Sequence, residues 1–194
     1  MKSFDLVAKI YDLINRSRYQ RDVPYILRLL TITPGRKFLD IGGGTGAMAH
    51  ILFQKTCCRM TVVDSSAGMI AAGKEKGYQA EWLQADPVKT LPIARNSVEG
   101  AIMVYTLHHI KKNQQIIALT EICRVLKKGD KLLIIEMDYH NFLSISLNLV
   151  EKLMTLGKVW FISANKLKES LNKAGLSVDH YEKRRQGYIL RAVK

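Results

Sequence analysis

No stretch of the 194 residues stays apolar for the roughly 18 positions that a membrane-spanning helix needs. The first residues include Asp5 and Asp12, where a secretory leader would require an uninterrupted apolar region. Cysteine is scarce. There are three, and the adjacent pair Cys57 and Cys58 makes no disulfide framework. Reduced thiols suit the cytoplasm, which is the expected location. No group of Cys, His and acidic residues has metal-ligand spacing, and His108-His109 is too short to form a site alone, so no metal is expected. With four prolines, no Pro- or Ser-rich linker and no repeat, the chain reads as one domain over residues 1–194. Acidic residues are the other shortage: 17 against 30 Lys and Arg, for a net charge of +13. Such a field attracts anions, whether nucleic acid, acidic lipid surfaces, or phosphorylated and carboxylated small molecules. The excess is spread along the chain and is densest at Lys183-Arg184-Arg185. A plain solvated surface accounts for it equally well.

What is present is an alternation. Phe4, Val7, Tyr11 and Ile14 predict a first helix, and Pro24 to Leu30 a second, ending before the Pro34-Gly35 turn. Together they make a helical cap over residues 1–33. Short apolar runs then predict strands over 37–41, 60–63, 80–84, 98–104 and 131–136, separated by helices. Ser65 or Ser66 can cap the helix after the second strand, and Asn113 the helix after the fourth. Cys123 falls in that fourth-strand helix pattern as a core residue. A helix carrying Leu167, Leu171 and Ala174 follows. The last runs, 176–182 and 188–193, are joined too tightly for a crossover and predict an antiparallel hairpin. Strands alternating with helices imply a three-layer α/β fold around a doubly wound, mostly parallel sheet.

In such a sheet ligands bind beyond the carboxyl ends of the strands. The first strand runs into Gly42-Gly-Gly-Thr-Gly46, where Gly42, Gly44 and Gly46 allow a sharp turn and close approach to a ligand. The loop also satisfies the dinucleotide pattern G-x-G-x-x-G/A, so a nicotinamide oxidoreductase competes at this point. Asp64 ends the second strand and can accept hydrogen bonds from a ribose diol in either class of nucleoside. Asp86 follows the third strand. Taken singly it is more often a turn former, but it can face an adenine amino group. Asp40 separates the two classes. A pyrophosphate avoids a carboxylate beside its loop, whereas the sulfonium and ammonium groups of S-adenosylmethionine are favoured by one.

These residues resemble the motifs of class I S-adenosylmethionine-dependent methyltransferases, of the group similar to the ubiquinone/menaquinone biosynthesis methyltransferases (methyltransferase type 11). Phe38 to Gly46 resembles the family's first motif and Val62 to Ile70 its ribose-binding second motif. Ala85-Asp86 with Leu91-Pro92 resembles the adenine-side stretch. Leu107-His-His-Ile110 resembles the segment after strand four, Leu126 to Lys131 the turn into strand five, and Phe4 to Asn15 the N-terminal cap helix. The resemblance implies a Rossmann-like seven-stranded sheet with strand seven antiparallel between five and six. It implies Gly42, Gly44 and Gly46 against the methionine part of the donor, with Asp40 near its ammonium group. Asp64 would hold the ribose, Met69 would pack on the adenine, Asp86 would meet its edge, and Tyr11 would close over the donor. Ser65 and Tyr105 complete the expected donor-binding set.

Methyl transfer is an in-line displacement on an already activated carbon, so the protein mainly supplies alignment. A general base is needed only where the nucleophile must lose a proton. His108 and His109, after strand four, are the candidates, against an ordinary reading as packed or capping histidines. The apolar stretch over 139–165 is expected to be an acceptor-side lid, or a helix covering the sheet edge. The expected function is methyl transfer to a small molecule, hydrophobic or anionic. The alternatives are an RNA methyltransferase using the basic surface, which is not favoured without an RNA-binding module, a nicotinamide oxidoreductase, and a non-catalytic donor-binding protein. Peripheral contact with a membrane surface is compatible with the charge.

Overall fold

Apolar runs without polar alternation are the mark of strands buried on both faces, and that is where these runs lie. The computed structural model describes residues 2–137, 159–185 and 187–194, with the side chains of Asp12 and of residues 15 onward. The elements are α1 (Lys2–Leu29), β1 (Lys37–Ile41), α2 (Ala47–Thr56), β2 (Arg59–Asp64), α3 (Ala67–Glu75), β3 (Glu81–Gln84), β4 (Ala101–Val104), α4 (Lys112–Val125), β5 (Lys131–Met137), α5 (Ala164–Lys173), β6 (Ser177–Arg184) and β7 (Gly187–Val193). The sheet has seven strands in the order β3-β2-β1-β4-β5-β7-β6. β1 to β5 pair in parallel. β7 lies antiparallel to both β5 and β6, as the tail hairpin requires.

Side chains alternate across each strand and sort into two cores. Leu39, Ile41, Met103, Leu132, Ile134 and Leu190 face the layer of α4 and α5. Phe38, Val62, Ile102, Leu133, Ile135 and Ile189 face the layer of α1 and α2. In α1 the buried residues Tyr19, Val23, Ile26 and Leu29 recur at three- and four-residue spacing, which lays one side of the helix on the sheet.

Four expectations are corrected. The two predicted N-terminal helices are one, α1, which passes through Pro24. A proline removes one backbone donor, but packing of the helix face on the sheet outweighs that loss. β4 starts at Ala101 rather than Val98. The Phe38 ring sits on Gly100, and Val98 makes only an isolated bridge to Leu126. Asn113 does not cap α4. The helix begins two residues earlier than such a cap implies, at Lys112, with Lys111 at the capping position and no side-chain cap. Cys123 is only partly buried, packed at the edge of the α4–α5 core. The lid expected over 139–165 lies outside the described residues as far as position 158. From 159 to 163 the chain has no regular structure.

Candidate functional site

The glycine loop leaves β1 at its carboxyl end, and Gly42, Gly44 and Gly46 all have positive φ, at 68°, 57° and 70°. Gly42 is fixed from two sides. Its N–H donates to the Val63 carbonyl at 2.7 Å, and a Cβ on it would lie 2.1 Å from the Thr106 methyl group. The loop is thereby closed against both β2 and the exit of β4. Gly43, which sequence reasoning did not single out, lies over Asp40. A Cβ there would come within 2.6 Å of Asp40 Oδ2.

Asp40 itself is 2 % exposed, and its Oδ2 has no hydrogen-bond partner among the described residues. Burial, reinforced by the charge of Asp64 and opposed by the Ala49 N–H, pushes its pKa up to about 7. An almost fully buried carboxylate with an unsatisfied oxygen beneath a glycine loop is a poor neighbour for an anion. It is a good one for a cation.

Asp64 is organised by the loop it serves. Its Oδ2 accepts from the Gly44 N–H at 2.9 Å and its Oδ1 from the Ser66 N–H at 2.8 Å. Burial raises its pKa against those two hydrogen bonds. Each carboxylate oxygen keeps a further lone pair for a ligand hydroxyl. Of the two candidate serines, Ser66 caps α3 by accepting from the Met69 N–H at 3.3 Å, while Ser65 is exposed. That cap sets Met69 over the loop, its methyl 3.1 Å from where a Cβ on Gly44 would stand. Asp86 stands at the exit of the next strand, where Ala85 N–H donates to the Asp64 carbonyl. Its Oδ1 accepts from the Val88 N–H at 3.1 Å, so it forms the turn it was expected to form when taken singly.

Asp12 is a contributor that the sequence did not reveal. From α1 it accepts from the Thr45 hydroxyl and from the Lys76 ammonium, each at 2.5 Å, tying the cap helix to the glycine loop and to α3. Thr45 is buried. The cap-helix resemblance was the only available signal, and it pointed to Tyr11, whose side chain is outside the described set.

The histidines after β4 separate. His108 is 1 % exposed. Its Nδ1 lies 2.6 Å from Glu136 Oε1, and its backbone N–H donates to Oε2 of the same carboxylate at 3.2 Å. Phe161 stacks on its ring at 5.3 Å, and the Trp160 N–H donates to its carbonyl at 2.7 Å. The chain thus returns over His108 from the end of the 139–165 stretch. His109 reaches the surface. The protein packed around it, and then the neighbouring His108, hold its pKa down to about 4. Its imidazole is therefore neutral at pH 7 but binds a proton weakly. Glu136, the partner of His108, was missed because it reads as the end of an apolar strand. Tyr105, at φ 53°, lies with α1 and the tail hairpin. The Arg18 guanidinium is 5.8 Å from its ring centroid. Burial and then the adjacent Asp22 push its phenol well above the usual range. Among the described residues no group of three or more His, Cys, Asp or Glu could hold a metal ion.

Strand order, antiparallel β7 and a glycine loop flanked by carboxylates at successive strand exits define the class I S-adenosylmethionine-dependent methyltransferase fold. Residues 38–129 match the sequence family described as a methyltransferase domain. The chain is similar to a ubiquinone/menaquinone biosynthesis C-methyltransferase of Rubrivivax gelatinosus. The two are 33% identical over 141 residues, covering 69% of this chain and 53% of the relative. The chain thus spans about half the length of the curated relatives it matches. Among solved structures, a chain of the Haloferax volcanii complex between the Trm112 methyltransferase activator and a methyltransferase superposes with a TM-score of 0.81 at 17% identity, covering 98% of this chain and 96% of that one. An S-adenosylmethionine-dependent methyltransferase from Aquifex aeolicus superposes with a TM-score of 0.71 at 21% identity, covering 88% of each chain. At these identities the superpositions establish the fold.

Proposed function

We propose that the chain binds S-adenosylmethionine and transfers its methyl group to a small-molecule acceptor. The observation that carries this is the pairing of an unsatisfied, buried Asp40 oxygen with an Asp64 carboxylate hydrogen-bonded to the glycine loop. The likeness to quinone-biosynthesis methyltransferases supports a small-molecule acceptor.

The donor, when bound, supplies a methyl carbon already activated on a sulfonium. The chain's residues then bind and align. Gly42 seats the loop against Thr106, Gly44 allows close backbone approach, Asp40 offsets the positive charge, and Asp64 receives ribose hydroxyls. Met69 would cover the base side with Asp86 at its edge, and Tyr11 and Ser65 are proposed to complete the donor site. Asp12 holds the loop in register through Thr45. Alignment of this kind is worth roughly 7–11 kcal/mol of barrier. Where the acceptor must lose a proton, His108, held by Glu136, and His109, at the surface, are the candidate bases.

We read residues 1–194 as one domain, with 1–33 as its cap and 139–165 as its acceptor-side lid. No helix among the described residues is long and apolar enough to cross a membrane, and the free cysteines fit a cytoplasmic setting. Thermal melting tests the donor reading. A ligand at 100 times its Kd adds about 2.7 kcal/mol of stability, so S-adenosylmethionine and S-adenosylhomocysteine are expected to raise Tm by several degrees while NAD and NADH leave it unchanged. A shift with the nicotinamide cofactors alone would transfer the site to the oxidoreductase alternative.

A further inference from the structure

Beside the exit of β4, a cavity of about 120 Å³ opens between α1, the end of β5 and the β6–β7 turn. Four arginines line it: Arg18 and Arg21 from α1, and Arg184 and Arg185 from the hairpin. Tyr105 and Glu136 stand in its wall. Guanidinium groups stay charged at any ordinary pH, and gathering four around one hollow costs repulsion unless something negative answers them.

The carboxylates within reach already have partners, though Asp22 Oδ2, which is buried, has no hydrogen bond among the described residues. Glu136 accepts from His108 and from the Met137 N–H. Asp22, 1 % exposed, holds Arg184 at 2.5 Å and lies beside the Tyr105 phenol. These contacts fix the far wall. Arg184 also stands over the Tyr25 ring, 4.5 Å from its centroid. Arg21 and Arg185 are different. Both are exposed. Arg21 spends only its Nε, on the Ser17 carbonyl at 3.2 Å, and Arg185 has no hydrogen bond or ion pair among the described residues. Their forks remain available for a planar carboxylate or a phosphate, which guanidinium geometry matches with two parallel hydrogen bonds.

The position of the cavity matters as much as its charge. Tyr105 in its wall is followed by Thr106, which packs directly on Gly42 of the donor loop and donates to its carbonyl at 3.3 Å. A molecule with its charged end among the arginines would extend towards that loop. The volume suits a small charged head rather than a whole drug-sized ligand. A nucleic-acid backbone presents its phosphates to open surface and fits such a hollow poorly.

We propose that this cavity receives the carboxylate or phosphate group of the methyl acceptor, so that the acceptor is an organic anion. The proposal rests on the donor-dependent reading above.

Calorimetric titration of the full chain with phenyl phosphate, benzoate and neutral benzamide, with and without S-adenosylhomocysteine, tests it. One of the two anions is expected to bind, and which one does so separates phosphate from carboxylate recognition. Benzamide is expected not to bind. Arg21→Gln and Arg185→Gln are each expected to weaken the anion by about tenfold or more, the usual worth of a charged hydrogen bond, while leaving S-adenosylhomocysteine affinity unchanged. Equal binding of benzamide and the anions, or unchanged affinity in both variants, would overturn the proposal. So would tighter binding of a single-stranded RNA decamer that the same substitutions abolish, because the arginines would then serve nucleic acid. Failure of S-adenosylhomocysteine to bind while the anion still does would overturn the donor reading, and with it the acceptor role, leaving only an anion site.

Discussion

At Asp40, burial and ionisation pull in opposite directions. The folded protein holds its proton up to about pH 7, whereas the unfolded chain releases it near 3.8. Between those values the folded state binds more protons, so this residue's contribution to stability falls as pH rises from 3.8 to 7 and is constant above that. A cationic ligand reverses the preference by favouring the ionised form. Donor binding is therefore expected to release a proton near neutrality and to weaken as pH drops below about 7. Asp40→Asn should melt higher than the wild type at pH 8, by about 2–4 °C for each kcal/mol removed, and should lose both donor affinity and its pH dependence. Melting and binding curves across pH check both. Gly42→Ala makes the opposite case. Its added methyl meets Thr106 at 2.1 Å on a backbone with φ 68°, which should cost about 1–3 kcal/mol in chemical denaturation and displace the loop enough to abolish donor binding.

Among the elements, α1 and the tail hairpin are joined at one corner by the ion pair of Asp22 with Arg184. The two partners are unequal: the Asp22 side chain is 1% exposed and that of Arg184 is 21% exposed. Removing the arginine strands a buried carboxylate, and removing the acid leaves a cation that water can reach. Arg184→Ala is expected to destabilise by about 3–5 kcal/mol, the usual cost of breaking a buried pair, and Asp22→Asn by distinctly less. Urea denaturation of the two variants distinguishes them, and equal losses would contradict this account of the corner. The strand cores were legible in the sequence because β1, β2 and β5 are apolar on both faces, so no periodicity had to be resolved. Helix limits were harder to read. Pro24 looked like a boundary, but buried Tyr19, Val23 and Ile26 hold the helix together across it. The start of β4 was hidden because its limit is set by Phe38, a residue far away in sequence.

For the molecule as a whole, the order β3-β2-β1-β4-β5-β7-β6 brings the exits of β1, β2, β3 and β4 to one edge. There the motif residues converge: Asp40, the glycines, Asp64, Asp86 and the histidines. Their types and spacing were readable because each sits next to its own strand. What the sequence could not show were partnerships between distant segments: Asp12 with Thr45, Glu136 with His108, and the arginines of α1 with those of the hairpin. The net charge of +13 is an average over the surface, while the cavity is where four of those charges have been brought together. The central claim is that these separate strand ends form a single nucleoside site, and calorimetric titration of S-adenosylhomocysteine into wild-type protein and Asp64→Ala tests it most directly. One-site binding is expected in the wild type, and at least about tenfold weaker binding in the variant, corresponding to lost charged hydrogen bonds. No heat of binding in either protein, or equal affinity in both, would contradict the account.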